Sequence, residues 1–331
     1  MNVPIELAEI EPPRFEFPWP SACHPQALAV DEQMIAWGRA HDLIPDEVYL
    51  ERVIRTRYGY LAARCYPHAD TELLQIIADY FLWFFLADDL FVDRVQTVTP
   101  DTLTNLTAMI DVLDYDRSRP LPVYGESAWL DVCRRLRARL SAEQFERFAT
   151  GIRLWASTAG LQMLDHLQRR PIAMGDYETI RRYASGMTPS LALPDAANQA
   201  HLTAEEYHHP TLHRLRMHTN NVVCWSNDIH SLQVEARQPG QFRNMVTLYA
   251  AQGQTLREAV DTTAGRVRVE IDAFLRSAQP AQQTASPALF KYIEGLKDWM
   301  RGYQDWYDHD TQRYATAHAE QDADDRDTLT S

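Results

Sequence analysis

Apolar positions recur at three- and four-residue spacing over long stretches of the chain, and nowhere do β-branched residues alternate with polar ones for long. That period marks amphipathic helices and argues against sheet. It predicts helices over 26–40, 46–65, 71–93, 101–113, 126–138, 142–169, 176–184, 203–236, 255–278 and 286–316. Asp70, Ser141 and Thr203 stand where N-caps are needed. Ser141 is followed by Glu143 and Gln144, and Thr203 by Glu205 and Glu206, as in capping boxes. Breaks are expected at Pro120–Pro122, Met187–Pro194 and Pro239–Gly240. The fold class is all-α, and no repeat of 20–50 residues indicates a solenoid.

Composition narrows this to one large unit. The chain has 331 residues, 45% of them hydrophobic, and no Gly/Ser linker divides it. One helical domain is expected over 1–316, followed by an acidic, disordered tail at 317–331. No apolar run reaches the roughly 20 residues of a membrane span, and Met1 to Glu6 carry no basic-then-apolar leader. A formal net charge of -14 disfavours nucleic acid and anionic membranes as partners. It does not exclude a small anion held locally by a bound cation and arginines. Cys23, Cys65, Cys133 and Cys224 are scattered, which fits free thiols and a cytoplasmic location.

Two clusters carry the chemistry. The first, Asp88-Asp89 with Asp93, ends an aromatic run in which Phe81, Phe84 and Phe85 precede the carboxylates. Buried carboxylates are costly unless paired or bound to metal, and hard oxygen donors suit Mg²⁺. Asp93 lies about 140° around a helix from Asp88, so it reads as a charge-balancing neighbour rather than a ligand beside it. The same pattern also fits an acidic helix end paired with Arg94. In the second cluster, Asn227, Ser231 and Glu235 stand at i, i+4 and i+8 and line one helical stripe. They follow the apolar segment Asn221 to Trp225; a plain polar face is the alternative. The aromatics Phe81, Phe84, Phe85 and Trp225 fit either a cavity wall or ordinary core. His230 falls off the Asn227 stripe and is expected at the surface or behind the ligands.

Together the clusters, 139 residues apart, resemble those of the bacterial class I terpene synthase family, most closely its sesquiterpene synthases. Asp88-Asp89 with Asp93 is similar to that family's aspartate-rich motif, and Asn227, Ser231 and Glu235 match its second metal motif. Arg181, within Tyr177-Glu-Thr-Ile-Arg-Arg-Tyr183, resembles the diphosphate-sensing arginine; Trp306 and Arg313-Tyr314 resemble the region of the terminal Arg-Tyr pair. Phe17-Pro-Trp-Pro and Trp37 are similar to the family's N-terminal region, so the likeness spans about 15–315.

The resemblance implies a single-domain helical bundle around a deep apolar cavity. It implies metal ligation by Asp88, Asp89, Asn227, Ser231 and Glu235, with three Mg²⁺ ions when substrate is bound. It implies a diphosphate grip by Arg181, Arg313 and Tyr314, and a homodimer. The expected reaction is ionisation and cyclisation of farnesyl diphosphate; geranylgeranyl diphosphate and chain elongation are the alternatives. A chain-elongating enzyme would carry a second aspartate-rich motif where Asn227, Ser231 and Glu235 stand. A di-iron site would need the Glu205/His208 and Glu206/His209 spacing on two helices, and only one has it. The chain departs from the family at Val234, where many members have a lysine, and at Ala184 and Ser185 after the sensor arginine. One cationic contact is then either missing or supplied elsewhere, by Arg182 or Arg237.

Overall fold

Every regular element among the described residues of a computed structural model (10–91, 100–166, 172–235 and 244–314) is a helix. In chain order these are α1 (Ala27–Ala40), α2 (Glu47–Thr56), α3 (Tyr58–Cys65), α4 (Thr71–Phe91), α5 (Pro100–Tyr115), α6 (Glu126–Arg139), α7 (Ala142–His166) and α8 (Met174–Ala184). They continue with α9 (Met187–Ser190), α10 (Pro194–Ala197), α11 (Ala204–His208), α12 (Pro210–His230), α13 (Leu232–Glu235), α14 (Met245–Ala251), α15 (Leu256–Gln283) and α16 (Pro287–His309). The tail expected at 317–331, the break at Pro239–Gly240, and Asp93, Arg94 and Arg237 lie outside the described residues, as does the side chain of Asp89.

The three caps expected from sequence are in place. Asp70 Oδ1 accepts from the Leu73 amide at 3.0 Å, Ser141 and Gln144 exchange hydrogen bonds, and Thr203 closes a capping box with Glu206. Each cap satisfies an otherwise orphaned amide of the first turn.

The helix expected over 46–65 is instead two, because Arg57 takes the left-handed conformation at φ 59°. A non-glycine residue there costs about 1 kcal/mol. The buried Asp31 offsets it: its carboxylate accepts from the Arg57 guanidinium and from the Gly59 amide, both at 3.0 Å. The helix expected over 203–236 is three, since Pro210 opens a new helix and Ser231 ends it. Ser231 stays in the right-handed region, its amide bonding Asn227 O at 2.8 Å and its carbonyl accepting from Glu235 N at 2.9 Å. The stripe of oxygens therefore keeps its helical register. Helix α16 ends at His309 rather than 316, so Arg313 and Tyr314 sit beyond it.

The apolar α4 is buried against α1, α3 and α6, with Trp83 stacked on Trp129 at 4.0 Å. Helix α12 packs on α15 and α16, and α16 on α3. The expected break after α8 turns at Gly186, with φ +73°. A Cβ at Gly186 would meet Phe84 Cζ at 2.3 Å, and one at Gly151 of α7 would meet Pro189 N at 2.5 Å. Two glycines thus let the short α9 wedge between α4 and α7. All four cysteines are free, and among the described residues no helix is long and apolar enough to cross a membrane.

The opposite case is Gly265 in α15, where a Cβ meets nothing within 4 Å among the described residues. Replacing Gly265 with Ala is expected to raise stability by about 0.5–1 kcal/mol through helix propensity, read as a higher denaturant midpoint.

Candidate active site

The carboxylate at the end of α4 is held by an indole. Trp155 Nε1 of α7 donates to Asp88 Oδ1 at 2.9 Å, and the Trp155 ring lies 5.0 Å from Phe84. A carboxylate has about four acceptor sites, so one N–H orients Asp88 and leaves it able to accept or ligate further.

The α12 stripe is organised from α8. Arg181 donates through Nη2 to Asn227 Oδ1 at 2.7 Å and through Nε to Asp228 Oδ1 at 3.0 Å. Asp228, 2% exposed, also accepts from the Tyr177 hydroxyl and, at 3.1 Å, from the Met245 amide. Burial opposes the Arg181 charge, but Asp228 and its other neighbours outweigh it and raise its pKa above the ordinary value. Burial likewise pushes the Tyr177 phenol up, so it stays protonated and donates. Ser231 Oγ donates back to Asn227 O at 2.7 Å, which leaves its lone pairs free of its own proton.

The segment after α16 bridges the two clusters. Gln312 N donates to Arg55 O at 2.8 Å, Trp306 Nε1 donates to Thr56 O and Arg57 O, and Arg64 pairs with Asp310 at 2.8 Å. This docks residues 310–314 on the α2–α3 joint. Arg313 Nη1 then donates to the Tyr58 hydroxyl oxygen at 3.0 Å, and its guanidinium lies 5.2 Å above the Phe85 ring. Tyr314 accepts from Asn227 Nδ2 at 2.9 Å. Glu235 bears electrostatically on both Arg181 and Tyr314. Arg181, Asn227, Tyr314 and Arg313 are therefore contiguous, and Phe85 links them to α4.

Several sequence expectations change here. Trp225 does not join this group: its ring carries the Arg266 guanidinium at 4.4 Å, which pairs with Glu178 at 2.7 Å. Two helical residues separate it from Asn227, a rotation of about 200°, so it faces α15. Phe81 is enclosed by Tyr66, Tyr80 and Trp299, and Phe84 by Gly186 and Trp155, whereas Phe85 is half-buried under Arg313. The charge of Arg182 bears on His213 of α12, whose pKa is lowered by burial first and then by Arg216, Arg182 and Arg214. His230 is not at the surface. It is 3% exposed, stacked on Tyr307 at 3.5 Å, and burial pushes it down to about 3, so the ring is neutral.

The donor set is oxygen throughout: carboxylate, amide and hydroxyl. Among the described residues no three His, Cys, Asp or Glu side chains gather as a metal site. Such a set fits a hard divalent cation completed by phosphate oxygens and water rather than a zinc or iron centre.

Comparison with known proteins decides the family. The family model described as "Terpene synthase family 2, C-terminal metal binding" matches residues 79–273, more than half of the chain and both clusters. This chain belongs to the terpene synthase family. Similar to this terpene synthase is the (+)-corvol ether B/(+)-corvol ether A synthase of Kitasatospora setae, named as farnesyl diphosphate cyclizing. It is 56% identical over 95% of this chain and 98% of that protein. A sesquiterpene synthase of Metarhizium brunneum is also 56% identical, over 97% of this chain and 94% of the relative. In fold, the terpene synthase resembles the linalool/nerolidol synthase of Streptomyces clavuligerus, with a TM-score of 0.76, 23% identity, and 91% and 100% of the two chains covered.

Sequence reasoning missed four side chains of this terpene synthase's site. Asp228 stands beside Asn227, and Tyr177 one helical turn before Arg181, so a carboxylate–arginine–tyrosine spacing was there to find. Trp155 and Tyr303 offered no local signal, because each reaches the site from a distant helix.

Proposed function

We propose that the chain is a Mg²⁺-dependent sesquiterpene synthase that ionises farnesyl diphosphate and cyclises the resulting cation, releasing diphosphate. The observation that carries this is the junction of Arg181, Asn227, Tyr314 and Arg313, an anion grip fused to a stripe of oxygen donors. Substrate length rests on the relatives whose names specify farnesyl diphosphate.

When bound, Mg²⁺ on Asp88, Asp89, Asn227, Ser231 and Glu235 would neutralise charge on the diphosphate as the allylic C–O bond lengthens. Arg181, fixed by Asp228, presents its remaining donors to the same oxygens, and Arg313 and Tyr314 approach from the C-terminal segment. Donors held rigidly before reaction favour the charge-separated state over the ground state. Phe85, on α4 beneath Arg313, offers an aromatic ring to a cation without offering a nucleophile. Burial of Phe81 and Phe84 behind it excludes water that would capture the cation early.

The test is gas chromatography–mass spectrometry of products from geranyl, farnesyl and geranylgeranyl diphosphate with Mg²⁺, each with and without isopentenyl diphosphate. Cyclic C15 products from farnesyl diphosphate alone are expected. A longer prenyl diphosphate as the product would replace the cyclase reading with chain elongation.

The grip can be dissected at Arg313. Replacing Tyr58 with Phe removes only the hydroxyl that holds Arg313, and is expected to weaken inhibition by inorganic diphosphate about fivefold, the value of one hydrogen bond. Replacing Arg313 with Ala removes a charged donor and should weaken it about 10- to 100-fold. Equal inhibition constants for all three proteins would remove Arg313 from the grip.

A further inference from the structure

Asn227 is held on both sides of its amide. Arginine has donors only, so the amide atom 2.7 Å from Arg181 Nη2 is the oxygen. The nitrogen therefore faces the other way, donating to Tyr314 at 2.9 Å and to Tyr303 at 3.3 Å. The Tyr303 hydroxyl lies 3.1 Å from His230 Nδ1. A hydroxyl that accepts from Asn227 has its own proton to place, and the neutral imidazole takes it at Nδ1. The ring proton then sits on Nε2, which has no partner among the described residues. His230 also lines a cavity of about 80 Å³ with Gln233, Tyr307 and Tyr314. Donation thus runs one way, from Arg181 to Asn227 and from Asn227 through Tyr303 to His230.

We propose that His230 and Tyr303 are positioning residues that fix the flip of the Asn227 amide, keeping its oxygen on the Arg181 side and its nitrogen on the tyrosine side. An amide has two orientations related by a half-turn, and only its oxygen can ligate a cation. Without an acceptor at His230, the Tyr303 proton is free to rotate toward Asn227, where it favours the reversed amide. Stacking on Tyr307 at 5° interplanar angle holds the imidazole edge toward Tyr303. The inference rests on Asn227 being a metal ligand.

The experiment is calorimetry of Mg²⁺ binding in the presence of inorganic diphosphate, on the full chain and its variants, with thermal unfolding alongside. His230→Phe keeps the stack and removes the acceptor, and is expected to weaken Mg²⁺ binding about fivefold. Tyr303→Phe should do the same, and the two together no more than either alone. The decisive background is Asn227→Asp, whose two oxygens are equivalent: there His230→Phe should change binding by less than about twofold. Equal weakening in both backgrounds, or none in the parent, overturns the proposal. Should Asn227→Asp bind too weakly to measure, non-additivity of His230→Phe and Tyr303→Phe decides instead. Nitrogen NMR of His230 gives an independent reading: an Nε2-protonated tautomer is expected, and an Nδ1-protonated one overturns the chain of donation. If Asn227→Ala binds Mg²⁺ and diphosphate like the parent, the ligand reading fails; if it does not while His230→Phe is silent, only the positioning role fails.

Discussion

Replacing Asp228 with Ala is expected to destabilise the protein by about 3–5 kcal/mol, the cost of leaving a buried charge without its partner. Asp228 is 2% exposed and receives Arg181 Nε at 3.0 Å, the Met245 amide at 3.1 Å and the Tyr177 hydroxyl. One substitution removes the anionic partner of a guanidinium and the acceptor of a phenol and of a backbone amide together, on α8 and at the start of α14. Arg181 retains Asn227 Oδ1 as a partner, so the loss should reach the stripe of oxygen donors proposed to hold the metal as well. Asp228→Asn keeps the shape and one acceptor, and should cost less stability while still lowering turnover. Urea unfolding of the three proteins, with diphosphate release assayed below the transition, measures both effects. An Asp228→Ala protein within about 1 kcal/mol of the parent would mean that Arg181 is held by something else.

Gly186→Ala should be the next most damaging change, at about 2–4 kcal/mol. The backbone at φ +73° penalises any Cβ by about 1 kcal/mol, and the new methyl would sit 2.3 Å from Phe84 Cζ. Overpacking of that kind adds about 1–3 kcal/mol. Phe84 cannot yield easily, since it packs 5.0 Å from the Trp155 ring, whose indole holds Asp88. Lower activity should therefore accompany the lower unfolding temperature. A variant with parental turnover at a reduced melting point would separate the α8–α9 break from Asp88.

Local signals in the sequence were read well and distant ones were not. The caps at Asp70, Ser141 and Thr203, the break after Ala184 and the register of Asn227, Ser231 and Glu235 all follow from residues within a turn or two of each other. The joint at Arg57 was hidden, because the carboxylate that holds its left-handed backbone comes from Asp31 on another helix. Helix α14 is seven residues long, too short for periodicity to register. The sequence leaves Trp225 open between cavity wall and core, because an aromatic next to a motif can point either way, and its contact with Arg266 on α15 is not visible locally. Likewise His230 reads as a polar residue off the stripe until Tyr303 and Tyr307 enclose it.

The docking of residues 310–314 on the α2–α3 joint has a temporal consequence. Arg313 and Tyr314 leave the ribosome more than 80 residues after Asn227 and after every described helix, while earlier segments can already fold as they emerge. A nascent chain would thus have exposed Arg181, Asp228 and Asn227 and still lack half of the proposed anion grip. Synthesis itself would then act as a safety catch, with the reactive centre armed only when the last contributing stretch folds back onto one of the first.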